Sequence, residues 1–305
     1  MNENKRERVD HLRKGSEVSP YDALLAGSIS GAIARAVTAP LDTIKIRLQL
    51  QPRGFKERKS IAFLVKRLLR NEGIVALWKG NVPAEILYIL YGGAQFTSYA
   101  VLNDLLDQYT NLNPGAHSLV VGSGAGCAST LLTYPFDLLR TRLVANRERV
   151  LQSMTKTIKS IYRKDGILGF FQGIKPALLS VTSNTGIMFW NYELAREYST
   201  QYNNIPFIEG ICGFIAGSSS KAITFPLDTL RRRSQVYSVV HNTKTAPAVH
   251  IFVKILKNEG IFGLYKGFGV SLVKTAPTSA VTIYFYEYAL EYIQARNSNK
   301  MTALV

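Results

Sequence analysis

PLDTIKIRLQLQ (residues 40–51) returns as PFDLLRTRLVAN (135–146) and again as PLDTLRRRSQVY (226–237). Each copy opens on a proline, places an acid two residues on, and places bases five and seven residues on. The spacings between the prolines, 95 and 91 residues, point to one unit of about that length used three times. Neighbouring residues recur in step. Gly27/Gly31, Gly122/Gly126 and Gly213/Gly217 form a GxxxG whose second glycine lies nine residues before each proline. An acid–glycine pair follows at Glu72-Gly73, Asp165-Gly166 and Glu259-Gly260, and five residues later comes Trp78-Lys79-Gly80, Phe171-Gln172-Gly173 or Tyr265-Lys266-Gly267.

The 305-residue chain is 47% hydrophobic and 19% charged, with mean hydropathy close to zero. Its apolar residues gather in 23–41, 82–106, 117–136, 176–195, 206–227 and 268–290. Each is about the 20 residues that a helix needs to cross a bilayer. Two spans per repeat make six, and an even number places both termini on one side. A proline inside a helix removes a backbone hydrogen bond, so bends are expected at Pro40, Pro135 and Pro226. Residues 60–71 set Ile61, Leu64, Val65, Leu68 and Leu69 at helical spacing with Lys66, Arg67 and Arg70 on other faces, a pattern that predicts a short helix lying along the membrane surface. Equivalents are expected near 150–164 and 247–258. The fold class read from these features is an all-α membrane protein of three tandem repeats arranged about a pseudo-threefold axis: 21–109, 114–200 and 205–295, with tails at 1–20 and 296–305.

The net charge of +16 comes from 37 Lys and Arg against 21 Asp and Glu. The bases sit mostly between the spans, which suits anionic lipid and does not call for nucleic acid. Cys127 and Cys212 fall inside predicted spans without metal spacing and read as small core residues. The N-terminal 20 residues carry Glu3, Glu7, Asp10 and Glu17, unlike an acid-poor transit peptide, and read as an exposed tail. His11, His117, His241 and His250 are dispersed, and no nucleophile–base pair can be placed, so neither a metal site nor an enzyme is expected. A helical-repeat scaffold that binds acidic partners is the alternative of a different class.

Acid and base three residues apart share a helix face, so Asp42/Lys45, Asp137/Arg140 and Asp228/Arg231 could pair locally or, across three helices, form a ring. The cost of charge near a membrane core favours a functional ring. Inside the apolar segments, Arg35, Thr130 and Lys221 stand five residues before each proline. Leu87, Ser180 and Lys274 stand seven residues after each glycine of the aromatic motif. Three cations (Arg35, Lys221, Lys274) without an acid at their heights point to an anion site, and the fork of arginine suits phosphate. Tyr88, Tyr91 and Tyr284 could offer ring faces, and Asn184 and Gln95 could bond a heterocycle or a neighbouring helix. Glu85, one turn from Tyr88, could balance a cationic ring or sit in water near the helix end.

The triple P-x-[D/E]-x-x-[K/R]-x-[K/R], [D/E]-G and aromatic-[K/R]-G pattern resembles the mitochondrial carrier family over about 23–292, with Gln172 as a departure that touches one peripheral contact. The resemblance implies a monomeric solute carrier of the mitochondrial inner membrane with both termini toward the intermembrane space, bound by anionic lipid such as cardiolipin. It implies a matrix gate pairing Asp42 with Arg140, Asp137 with Arg231 and Asp228 with Lys45, braced by Gln49 and Gln235. It also implies a weaker cytoplasmic gate in which only Tyr192-Glu193-Leu-Ala-Arg196 is complete, Glu287 lacks its base, and 99–103 lacks both charges. The substrate contacts it implies lie at Leu87, Ser180 with Val181, and Lys274. Finally, 80–96, 117–126, 134–146 and 223–233 resemble the thiamine pyrophosphate branch of that family. This implies thiamine pyrophosphate as substrate, exchanged for other phosphorylated compounds, and no cofactor. A carrier of coenzyme A or of a nucleotide is the alternative within transport, against which stand Leu87 and the sequence Arg233-Ser234-Gln235-Val236.

Overall fold

A computed structural model describes residues 20–51, 61–109, 113–149, 152–201, 208–241 and 246–302. The expected N-terminal tail and the end of the C-terminal one lie outside them. Six long helices follow the six apolar segments: α1 (Pro20–Gln49), α3 (Asn81–Tyr109), α4 (Pro114–Ala145), α6 (Ile174–Gln201), α7 (Ile208–Val240) and α10 (Thr275–Thr302). Three 12-residue helices lie between them, α2 (Ile61–Glu72), α5 (Met154–Asp165) and α8 (Ala248–Glu259), each followed by a 3-10 turn. The long helices have 28–33 residues, on the order of 42–50 Å at 1.5 Å per residue and ample for a bilayer core. By length and apolar composition together, only Gly115–Ala145 meets the requirement for a span among the described residues; in the others polar and charged residues interrupt the apolar run.

Helices α1, α4 and α7 each carry their proline inside one continuous helix. The last span breaks where none was expected. A short α9 (Phe268–Val273) ends at Lys274 before α10 begins. Pro277 explains the break, because it has no N–H to give the carbonyl of Val273 four residues back.

Two compact units emerge, 1–37 with 276–305, and 38–275. In the larger unit α3 packs along α4, α6 along α7, and α4 against both α6 and α7. Polar side chains fill its interior: Ser129, Thr133, Ser220 and Thr224 are buried, and each hydroxyl is bonded, three of them to a carbonyl one turn back and Ser220 to Asn184 across the helix pair. Leu132 and Ile223, one residue from Thr133 and Thr224, are more than half exposed. Apolar outside and polar inside is the pattern of a helix bundle whose solvent is lipid.

The short helices bury one face. Ile161 joins Tyr134, Leu138, Leu139 and Ala177 in one apolar cluster; Ile251 and Ile255 join Leu230 and Leu264 in its counterpart. Each short helix ends on the acid of the acid–glycine pair, and Gly73, Gly166 and Gly260 take positive φ and return their N–H to the last turn. The glycine of the aromatic motif has a second reason to be glycine. A Cβ on Gly80 would sit 2.8 Å from the carbonyl oxygen of Arg140, on Gly173 3.1 Å from that of Arg231, and on Gly267 3.2 Å from that of Lys45. Each even-numbered span is thereby seated against the base of the next repeat's proline motif.

Candidate functional site

The prolines set their acids and bases on the inner faces of α1, α4 and α7, within the larger unit. Arg140 Nη2 reaches Asp42 Oδ2 at 2.8 Å, and Arg231 Nη2 reaches Asp137 Oδ2 at 2.7 Å, so two of the three expected cross-helix pairs are made. The third is not. Asp228 accepts from Lys221 Nζ at 2.5 Å and from Ser180 Oγ at 2.9 Å. Lys45 stays within electrostatic reach of Asp228 while its ammonium lies 5.5 Å from the centroid of the Phe225 ring. The correction has a simple cause: Lys221 stands two turns before Asp228 on the same helix face, and its four-carbon stem spans that distance. Of the two braces, Gln235 donates to Asp137 Oδ2 at 2.6 Å and accepts from Arg232, whereas Gln49 makes only a long 3.4 Å contact to Thr229 and leaves Oε1 without a donor.

Three of the residues expected to hold substrate lie directly on this ring. Lys274 Nζ bonds Asp42, so Ser180, Lys221 and Lys274 all touch a ring acid. Leu87 is buried, and Tyr88 lies within electrostatic reach of Arg140. Tyr91 lies near Thr130. Asn184 accepts from Ser220 on α7, and Val181 packs against Gly126 on α4, so both serve helix packing. Glu85 is half-buried, which excludes the reading that it sits in open water. Arg35, half-buried, belongs to the smaller unit. Six bases (Lys45, Arg140, Lys221, Arg231, Arg232, Lys274) thus meet three acids, a surplus of positive charge suited to an anion.

Below the ring, three ion clusters join the repeats in a cycle. Arg47 Nη2 donates to Glu72 Oε2 and to the Asn146 carbonyl, both at 2.7 Å, and Lys79 Nζ donates to the same carboxylate at 2.5 Å. Arg142 donates to Gln172 Oε1 at 2.7 Å and to the Gln235 carbonyl at 3.1 Å, while Gln172 Nε2 donates to Asp165 at 2.8 Å. Arg233 grips both oxygens of Glu259 at 2.5 and 2.8 Å and donates to the Gln49 carbonyl at 2.9 Å, with Lys266 on Glu259 at 2.6 Å. Arg47 and Arg233 therefore cap the carbonyl end of the next repeat's proline helix, where a cation is favoured, and Arg142 bonds its neighbour α7 before the last turn.

A family model described as mitochondrial carrier protein matches residues 16–110, 112–203 and 204–297. The chain belongs to the mitochondrial carrier family. Among its curated relatives, a Candida albicans protein is 65% identical over 292 residues, covering 94% of this chain and 97% of the relative. A Lodderomyces elongisporus protein is 59% identical over 292 residues, 93% and 94% of the two chains, and one from Saccharomyces cerevisiae (strain S288c) is 41% identical over 308 residues, 93% and 98%. All three are named mitochondrial thiamine pyrophosphate carrier 1. Membership in this family makes the chain a solute transporter.

Against this carrier pattern three residues stand out that motif reasoning missed. Arg232 Nη1 bonds both oxygens of Asp137, at 2.9 and 3.0 Å, and Thr141 Oγ1 at 2.6 Å, so that acid is held by two arginines of the third repeat. The run of three arginines was its only sequence signal. Gln172, expected at a peripheral contact, is buried at the centre of the second cluster. Lys79, read from the sequence only as part of the aromatic motif, is buried and gives its charge to Glu72. The cytoplasmic-gate side chains of Glu193 and Arg196, and the side chain of Cys212, lie outside the described residues; Glu287 is exposed.

Glu259 lies outside the spans on α8. Burial opposes its charge, yet the bonds from Arg233 and Lys266 prevail and hold its carboxyl below the usual glutamate range. A lowered pKa contributes stability at pH above that range and loses it as pH falls through the folded-state value. Glu259→Gln is expected to lower the melting temperature of the purified carrier at pH 7, and the gap to the parent should shrink steadily on acidification below pH ~4. A gap that stays constant with pH would exclude a charge-based role.

Proposed function

We propose that the chain carries thiamine pyrophosphate across the mitochondrial inner membrane by alternating access, exchanging it for other phosphorylated thiamine or nucleotide compounds. The observation that carries the mechanism is that Lys221 and Lys274 bond the gate acids Asp228 and Asp42. The shared name of relatives aligned over more than nine-tenths of the chain supports the substrate. A diphosphate entering the site competes with the two carboxylates for the two ammonium groups, because its oxygens can make charge-assisted bonds to both. Asp42 then keeps Arg140, and Asp228 keeps Ser180 with Lys45 nearby. Binding energy is thereby directed at two of the three acids of the ring that closes the matrix side, which is how a substrate tips two states close in energy. The third junction, doubly held at Asp137, sets the resistance to opening.

In this reading Tyr88 and Tyr91 face the heterocycles, and Glu85 offsets the cationic ring. The carrier acts as a monomer in contact with anionic lipid such as cardiolipin, with both termini toward the intermembrane space. The cytoplasmic gate, with one complete acid–base pair in its motif, is the weaker of the two.

The test is uptake of labelled thiamine pyrophosphate into liposomes that hold the purified protein and are preloaded with the same compound. Rapid uptake that unlabelled thiamine pyrophosphate suppresses, and that ATP and coenzyme A suppress poorly, is the expected result. Brisk exchange of ATP or coenzyme A without thiamine pyrophosphate uptake would overturn the substrate.

A further inference from the structure

We infer a second phosphate-binding site at the junction of the first and second repeats, formed by Arg47, Arg67 and Arg147 and separate from the central site. The three arginines line a cleft of about 170 Å³ whose other walls include Asn71, Glu72 and Leu68. Arg67 and Arg147 are exposed, whereas Arg47 is nine-tenths buried and its Nε–H has no acceptor. Arg147 lies close enough to Arg47 to repel it. Glu72 offsets one of these charges, but its carboxylate is shared between Arg47 and Lys79, so the cleft stays positive. An oxyanion between the three guanidinium groups would accept from Arg47 Nε and neutralise the repulsion, and the guanidinium fork suits phosphate oxygens.

The other two junctions differ at these positions. In the second, Ser160 and Ser238 replace Arg67 and Arg147. There the Ser238 hydroxyl donates to Gln172 and accepts from Arg142, while Lys164 is spent on the Ser238 carbonyl. At the third, Lys254 replaces Arg67 but lies 3.0 Å from His241 Nε2 and over the Tyr237 ring, and Pro52, outside the described residues, replaces Arg147. The three-arginine cleft therefore belongs to one junction of an otherwise repeated structure. A phosphate can come from a soluble phosphorylated compound or from the headgroup of an anionic phospholipid, and both present the same oxygens.

The test replaces Arg67 and Arg147 by the serines of the second junction, both at exposed positions. Calorimetry with inorganic pyrophosphate on the full-length protein should show one site fewer in Arg67→Ser/Arg147→Ser than in the parent. In a Lys221→Ala/Lys274→Ala background, the remaining pyrophosphate affinity should fall at least about tenfold on adding the serines. If the occupant is lipid, pyrophosphate binding is the same in both, but the thermal stabilisation gained on moving from phosphatidylcholine to cardiolipin-containing vesicles drops in the serine variant. Identical pyrophosphate stoichiometry and identical lipid stabilisation in the two proteins would overturn the site.

Discussion

Lys221→Ala/Lys274→Ala is expected to reduce the initial rate of thiamine pyrophosphate uptake by at least about a hundredfold. A hydrogen bond to a charged group contributes roughly 1.5–3 kcal/mol, so loss of two lysine–phosphate contacts removes about 3–6 kcal/mol. With 1.4 kcal/mol per factor of ten, that spans about two to four orders of magnitude. The single variants should fall between parent and double. Lysine→arginine at either position keeps the charge and should restore part of the rate, because an ammonium acts as a point charge whereas a guanidinium demands planar alignment. Uptake retained in the double alanine variant would show that the diphosphate is held elsewhere.

The second large effect is expected at Asp137. Its carboxylate is 3% exposed and takes bonds from Arg231, Arg232 and Gln235. Asp137→Asn leaves two arginines facing each other without their counter-charge, and breaking a buried ion pair on one side typically costs about 3–5 kcal/mol. The matrix-closed state loses that stabilisation, so the carrier shifts toward the matrix-open state and its exchange rate falls by more than about a hundredfold. Arg232→Ala removes only the second arginine and leaves Arg231 in place, so the closed state should weaken modestly and transport persist. Uptake rates and melting temperatures measured together separate the two variants. Equal effects of both would contradict the unequal roles assigned to Arg231 and Arg232.

The architecture was legible because three prolines, six acids and twelve glycines recur in register, and recurrence carries more information than any single motif. The ring was legible for the same reason at Asp42–Arg140 and Asp137–Arg231. It failed at Asp228, where a lysine two turns away on the same face could reach the carboxylate and a family pairing ignores such local reach. Arg232 stands at a position where the other repeats have Ile46 and Thr141, so no repeated pattern singled it out. Gln172 looked like a lost base, yet an amide both donates and accepts, and it therefore links Asp165 to Arg142 where lysine could only donate. The break at Lys274 could have been found from Pro277, four residues after Val273.

Competition between the ring acids and the substrate for Lys221 and Lys274 is the centre of the proposed mechanism, and the affinity of Asp228→Asn for thiamine pyrophosphate tests it most directly. Without the carboxylate, Lys221 is released to the diphosphate, and calorimetry on the purified variant should show binding about tenfold tighter than the parent, even as transport declines. Affinity unchanged or weaker than the parent would contradict the competition and separate the substrate site from the gate.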